Sequence, residues 1–255
     1  MVWERFTGPL YEKGAGDAAD IDPNDVVQGF LGDCYFLSPI QAVARINPGR
    51  IRQLIRGPLK EQVEGRNVYE VDLYAGHAVG SPTKHTVRVD DRFVSYGGGS
   101  ARYAQPGDMS AAGPEIWVMV LEKAWAALEG GYSKIHGGHA MKLGLTAITG
   151  YDTDYTTVSS HSSKAILEEL AECEKTGKPV VIQTKEKFTA EELDLAFTFD
   201  RTVIANHAYN VAKVHEKDGT VDLINPHGEN HLPGLPVSRL KEWFDIYVMS
   251  EESVR

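Results

Sequence analysis

Apolar positions follow two different rhythms along the 255 residues, with the change near residue 150. From Cys34 to Arg45, the residues Phe36, Leu37, Ile40, Val43 and Ala44 recur at the three- and four-residue steps of one helix face. Pro39 lies close enough to the start of that helix for much of its clash with the preceding turn to be avoided. Asn47-Pro-Gly breaks the chain, and a short second helix carrying Ile51, Leu54 and Ile55 ends at Gly57-Pro58. Residues 68–74 and 83–90 alternate as a pair of strands. Residues 96–113 are rich in Gly, Ser and Ala and read as a loop. The strongest helical pattern runs over 114–128, with Pro114 suited to a first turn and Gly130-Gly131 to the end. Its wide apolar face predicts deep burial. Residues 141–148 predict one more short helix, closing at Gly150, while residues 1–25 are polar and turn-rich and predict an irregular lead-in.

Beyond residue 150 the pattern turns to strands. Ser162 or Ser163 can cap a helix over about 165–174. Residues 178–184, 203–214, 219–225 and 244–249 read as strands, and 186–200 as a polar excursion with a short amphipathic part. The pattern predicts an α+β chain in two lobes: a helix-rich lobe over 1–150 and a strand-rich lobe over 151–255. Hydrophobic content of 42% and charged content of 24% are those of an ordinary globular protein. Thirty-six acidic against 26 basic residues give a net charge of -10. That balance disfavours nucleic acid and anionic membranes as partners. The two cysteines, Cys34 and Cys173, make no disulfide framework and suit a reducing, cytoplasmic compartment. The N-terminus lacks the apolar core of a signal peptide, and no run reaches the roughly 18 apolar residues of a membrane span. A domain of a longer, multidomain protein is equally compatible with this sequence.

Chemistry changes the picture at Gln28-Gly-Phe-Leu-Gly-Asp-Cys34-Tyr-Phe-Leu. A thiol at a helix N-terminus feels the positive end of the helix dipole, which favours the thiolate. The competing reading is a structural cysteine, because free cysteines are among the most buried residue types. A nucleophilic cysteine needs a base, and the base an orienting group. His207 stands at the start of an apolar strand, and Asn225 ends the next one across a turn at Lys217-Asp-Gly219. Such a hairpin brings His207 and Asn225 together at one end of a sheet. The order Cys, His, Asn across two lobes is the papain-like arrangement.

The blocks around these residues are more specific. Gln28 to Leu37 resembles the active-site signature of the calpain family of cysteine proteases. Residues 114–126 resemble that family's long helix, followed by Gly130 to Gly138 and Leu145 to Gly150. Val87 to Arg92, His207-Ala-Tyr and Leu223-Ile-Asn225-Pro-His-Gly match further blocks in the family's order, and the likeness runs from about Asp22 to the C-terminus. The resemblance implies a thiol endopeptidase acting on protein or peptide substrates. It makes Cys34 the nucleophile, His207 the general base, Asn225 its orienting group and Gln28 a donor to the oxyanion. Gly137 and Gly138 lie where the family's substrate strand passes.

Two cleft positions depart from the family. His227 stands in place of a shielding tryptophan, where a second imidazole would hydrate the pair or repel a protonated His207. Asn206 stands in place of the glycine before the histidine. For calcium, Asp25 is retained nine residues before the cysteine, but Ser133-Lys134, His231 and Ser238 replace expected carboxylates. Asp25 alone reads as a cap or salt-bridge partner, so no cofactor is expected to be required and no metal site is assigned. His136 and His139 lack a third ligand and read as turn residues. Cys173 reads as incidental, Asp33 as a maker of local backbone hydrogen bonds, Gly97 to Gly99 as a turn without phosphate-loop features, and Asp90-Asp91 as a turn. Alternative readings are acyl transfer or removal of a ubiquitin-like tag on the same fold, and a binding module that has lost turnover.

Overall fold

The computed structural model describes residues 1–76, 81–189 and 203–255. The chain opens with a strand, β1 (Val2–Arg5), where the polar sequence predicts an irregular lead-in. Two helices follow, α1 (Cys34–Ile46) and α2 (Pro48–Leu54), then β2 (Ile55–Arg56), β3 (Val68–Ala75), β4 (Thr83–Asp90) and β5 (Arg92–Gly97). β1 is held by antiparallel pairing with β5, from Val2 opposite Ser95 to Arg5 opposite Arg92. That distant partner has no signature in the local composition. β2, β3 and β4 form a second antiparallel sheet.

The loop over 98–116 contains only two-residue strands: β6 (Ser100–Ala101), β7 (Met109–Ser110) and β8 (Gly113–Pro114). Pro114 therefore does not open the long helix, as its sequence position suggests. The main chain of Glu115 instead bonds Asp108 and Gly107 across the β7–β8 turn, and α3 begins at Trp117 and ends at Glu129. Gly130 closes α3 in the left-handed conformation, at φ 92°. A one-turn helix, α4 (Tyr132–Ile135), leads to α5 (Met141–Thr149), which Gly150 closes in the same way.

The second half contributes β9 (Thr153–Thr157), α6 (Ser163–Thr176), β10 (Val180–Thr184), β11 (Ala208–His215), β12 (Thr220–Ile224), β13 (Leu232–Pro236) and β14 (Phe244–Ser250). Ser162 caps α6 by accepting from the Ala165 amide. Residues 203–207, predicted as strand, precede β11 without joining it. The excursion predicted over 186–200 lies mostly outside the described residues. The sheet order is β13-β12-β11-β10-β14-β9, antiparallel throughout. Both edge strands escape the sequence pattern. β13 carries two prolines, which only an edge tolerates, and β9 is mostly exposed.

The apolar interior forms two clusters. One gathers around α1, α3, α5 and β3; the other lies between the six-stranded sheet and α6, with Tyr209, Trp243, Phe244 and Tyr247 fully buried. α1 is buried on every side from Cys34 to Ala44. Pro39 has no N–H to offer the carbonyl of Tyr35, and α5 exploits the opening. Gly144 approaches that oxygen so closely that a Cβ would sit 2.1 Å from it. α1 also packs on β11, where Ser38 Oγ donates to the Ala208 carbonyl and Arg45 Nη2 to the Val211 carbonyl, both at 2.9 Å. Val181, Ala208 and Val248 of the sheet belong to the first cluster.

Candidate active site

The predicted hairpin exists, and it sets an imidazole against an amide. β11 and β12 pair from Asn210 opposite Ile224 to His215 opposite Thr220. His207 stands just before β11 and Asn225 just after β12, with His207 Nε2 2.9 Å from Asn225 Oδ1. An amide oxygen can only accept, so Nε2 carries the hydrogen and Nδ1 keeps its lone pair. The amide of His227 donates to the same oxygen at 3.0 Å, which fixes the orientation of the Asn225 side chain. The main chain of His207 is pinned to β10: its amide donates to Thr184 Oγ1 and its carbonyl accepts from the Thr184 amide, both at 2.9 Å.

His231 holds this arrangement from behind, a role with no motif in the sequence. Its Nδ1 accepts from the Asn225 amide at 3.1 Å. Burial lowers the pKa of His231 and so favours the neutral ring that can accept. His207 is 4% exposed, and burial pushes its pKa down to about 4. The bond to Asn225 opposes that shift and the neighbouring His227 adds to it. The ring of His227 stacks on His207 with centroids 4.9 Å apart and planes 9° apart. It thus covers the imidazole face instead of opening it to water.

Cys34 begins α1, as the sequence predicts, but its thiol does not behave as the helix dipole suggests. Its pKa is pushed up to about 11, first by burial, with the carboxyl of Asp33 adding to the shift. A helix terminus supplies at most about 2 kcal/mol, roughly one and a half pKa steps, whereas full burial can shift a group by 3–5. Desolvation wins. Cys34 and His207 line one cleft of about 360 Å³, together with Tyr35, Gly137, Gly138, His139, Ala140, Met141, Gln183, Asn206, Ala208 and Ile246. Among the described residues, no hydrogen bond joins the Cys34 sulfur to His207.

Gly137 and Gly138 have φ of +97° and +80°, and a Cβ on either would meet nothing within 4 Å. The conformation asks for glycine, and the space beside it is open to another backbone. Asn206 has φ +50°, and Asn is among the few non-glycine residues that adopt this region readily. The backbone shape that glycine would supply before His207 is therefore kept. Gln28 is buried, yet its Nε2 donates to the Leu31 carbonyl at 2.6 Å and its side chain does not line the cleft. Its main chain ties the nucleophile loop to the asparagine turn, donating to the Pro226 carbonyl at 2.7 Å.

Several secondary candidates change. Asp33 does not cap α1 through its side chain; its carboxyl is fully buried beside Glu122, and burial raises the pKa of both. Two buried carboxyl groups in contact share a proton. Cys173 is a core residue with its sulfur 3.6 Å from that of Met249. His136 Nδ1 accepts from the Gly32 amide at 3.0 Å, and His139 Nε2 meets the Lys134 carbonyl at 2.8 Å, so both serve the loop. Asp90 binds Lys123 and Arg66, and Asp91 binds Arg5.

Asp25 serves as a cap, as the sequence predicts, but within a larger group of carboxylates. It caps the single turn Pro23–Asp25 in a reciprocal arrangement with Asp22 and accepts from Trp117 Nε1 at 3.1 Å. It forms no salt bridge among the described residues, and it does not stand alone. Asp17, Asp25 and Asp108 each offer an oxygen within 4.8 Å of the others. Glu115, fully buried, leaves Oε2 without a partner beside Gly107, and repulsion from Asp25 and Asp108 adds to the burial that raises its pKa. An all-oxygen set with an orphaned buried carboxylate oxygen fits a hard cation such as calcium. Glu115 escaped notice because it sits at the start of an apolar helix pattern, 90 residues from Asp25.

A thiol and a neutral imidazole on one cleft, with an amide behind the imidazole, is the side-chain set of the thiol peptidases. The chain belongs to the calpain family of cysteine proteases: the family model described as "Calpain family cysteine protease" matches residues 1–255. The chain is 26% identical over 237 residues to the calpain-type cysteine protease DEK1 of Arabidopsis thaliana, a match covering 88% of this chain and 10% of that protein. It is also 26% identical to calpain-13 of Rattus norvegicus, covering 88% of this chain and 32% of the relative. For the human calpain-1 catalytic subunit the figures are 26%, 91% and 31%. The chain thus spans a third or less of the length of these relatives. No helix among the described residues is long and apolar enough to cross a membrane.

Proposed function

We propose that the chain is a calpain-type cysteine endopeptidase core that cleaves protein substrates through Cys34, His207 and Asn225. The observation that carries this reading is the His207–Asn225 bond, which leaves Nδ1 of a neutral imidazole free on the cleft that Cys34 lines. His207 Nδ1 takes the thiol proton as sulfur attacks the peptide carbonyl. The C–N bond then breaks, and the same proton passes to the departing amine. Water, deprotonated by His207, releases the acid from the acyl-enzyme and restores the thiol. The Cys34 amide stabilises the oxyanion, joined by Gln28 once its side chain turns from Leu31. The two apolar clusters support a two-lobe organisation split near residue 150.

The carboxylates of Asp17, Asp25, Asp108 and Glu115 would hold calcium, whose charge would offset their mutual repulsion. That would tie the segment before the nucleophile loop to the start of α3, with no part in bond breaking.

The missing Cys34–His207 bond supports a second reading, a binding module without turnover. Peptide hydrolysis by the wild type, Cys34→Ala and His207→Ala separates the two. We expect cleavage that either substitution reduces by on the order of 10³ or more with the fold unchanged by circular dichroism. Cleavage that survives Cys34→Ala would sink the peptidase assignment. Analysis of the products distinguishes hydrolysis from acyl transfer and from tag removal.

A further inference from the structure

Among the described residues, Arg102 is the one arginine whose side chain donates to neither a carboxylate nor a main-chain carbonyl. Arg5, Arg52, Arg56, Arg66, Arg88, Arg92 and Arg239 donate to carboxylates. Arg45, Arg50 and Arg255 donate to main-chain carbonyls. Arg102 makes one polar contact, from Nη1 to Tyr96 Oη at 3.2 Å, and its buried Nε has no partner. Aromatic rings surround the guanidinium: Phe30 at 4.5 Å, Tyr96 at 5.2 Å and Tyr103 at 5.7 Å from its carbon. In a chain of net charge -10, a cation held on aromatic faces, with Nη1 on a neutral hydroxyl and no carboxylate beside it, is a group prepared for an anion.

Its location gives that anion a source. Arg102 borders a pocket of about 220 Å³ with Phe30, Leu31, Tyr103, Tyr132 and His136. Phe30 is 64% exposed although it lies four residues before Cys34, and its amide donates to the Arg102 carbonyl at 2.9 Å. The pocket and the Cys34 cleft are lined by consecutive residues of one loop, which stands between them as a wall. His136 faces the pocket and accepts from the Gly32 amide, while Gly137 and Gly138 face the cleft, with the Gly138 amide donating to the Gly32 carbonyl at 3.0 Å. An extended peptide passing Gly137 and Gly138 advances about 3.3 Å per residue, with side chains to alternate sides. A side chain within about three residues of the scissile bond therefore reaches over this wall.

We propose that this pocket is a specificity subsite for an acidic side chain of the substrate, Asp or Glu, and that Arg102 is the residue that reads it. The proposal rests on the peptidase reading for the identity of its ligand. One guanidinium matches one carboxylate through paired N–H donors, and the surrounding rings exclude water from the pair. The acidic surface as a whole turns away polyanions, so the pocket admits an isolated carboxylate carried by a peptide.

The test is binding, which does not depend on turnover. Dye-labelled octapeptides, each carrying Glu, Gln or Lys at one position in turn, are titrated by fluorescence anisotropy against the Cys34→Ala protein. At one position Glu should bind about tenfold tighter than Gln, with Lys weaker still, and added salt should shrink the difference. Arg102→Gln should abolish the preference, and Arg102→Lys, which keeps the charge but loses the paired donors, should keep part of it. Equal affinity for Glu and Gln at every position would overturn the subsite, as would a preference unchanged in Arg102→Gln. If Arg102→Gln melts early, Arg102→Lys alone decides: a Glu preference undiminished in that variant counts against paired recognition. Cleavage by the wild type is measured separately. Discrimination by Cys34→Ala without cleavage by the wild type would retain the subsite and retire the peptidase.

Discussion

The two sides of the cleft are built to different degrees. On the β11–β12 side, His207 is bonded to Asn225, covered by His227 and backed through Asn225 by His231, with its backbone fixed to Thr184. On the α1 side, Cys34 is buried, its thiol is pushed well above its ordinary range, and no hydrogen bond joins it to the imidazole. One side is assembled for proton transfer; the other holds its nucleophile in the unreactive form. In this state the cost of activation falls on the thiol and little of it on the base.

The largest expected effect tests the thiol side. With a pKa near 11, the thiolate fraction of Cys34 at pH 7 is roughly one in ten thousand, and it rises tenfold per pH unit. Alkylation of Cys34 by iodoacetamide, followed by mass spectrometry, should therefore climb from pH 7 towards 11. A plateau already reached at neutral pH would break the comparison. Asn225→Ala comes next. It removes the acceptor that fixes the His207 tautomer, and peptide turnover should fall by on the order of 10² while iodoacetamide reactivity barely moves. An equal loss in both assays would mean that the two sides are coupled already. The pKa of His207 lies near 4, below its ordinary 6.5, so the acid limb of kcat/KM should fall below pH 6.

A smaller effect comes from the carboxylate cluster. Calcium chloride should raise the melting temperature by several degrees at saturating concentration, and Asp25→Asn should remove most of the shift. No shift in the wild type would count against a calcium site at these carboxylates. The smallest effect is at His227. His227→Phe keeps a flat ring on His207, so kcat should change by about twofold or less. A much larger loss would mean that the second imidazole itself takes part.

The sequence made the thiol, imidazole and amide legible because local signals place them: a helix start for Cys34 and a short hairpin for His207 and Asn225. α1, α6, β3 and β4 were readable from periodicity for the same reason. The parts that escaped depend on distant partners. β1 exists because β5 accepts it, and Glu115 meets Asp25 only after the chain has folded. The upward shift of the Cys34 pKa is not legible in the sequence, because the dipole of a helix is written in sequence order, whereas burial is a property of the assembled core. The sequence allows His227 either to hydrate the pair or to repel a protonated His207; the structure supports the repulsion, and only the stacking of the two rings shows that His227 also covers the imidazole.

The seam between α1 and β11 bears on how the chain can be dissected. Ser38 and Arg45 reach across to main-chain carbonyls of the sheet, and Val181, Ala208 and Val248 complete the apolar cluster around α1. A gene cut near codon 150 would therefore yield an N-terminal fragment with an uncovered hydrophobic face and a C-terminal fragment lacking the helix that seals its strand. Such halves are suited to a complementation test, in which soluble protein should be recovered only when the two are expressed together.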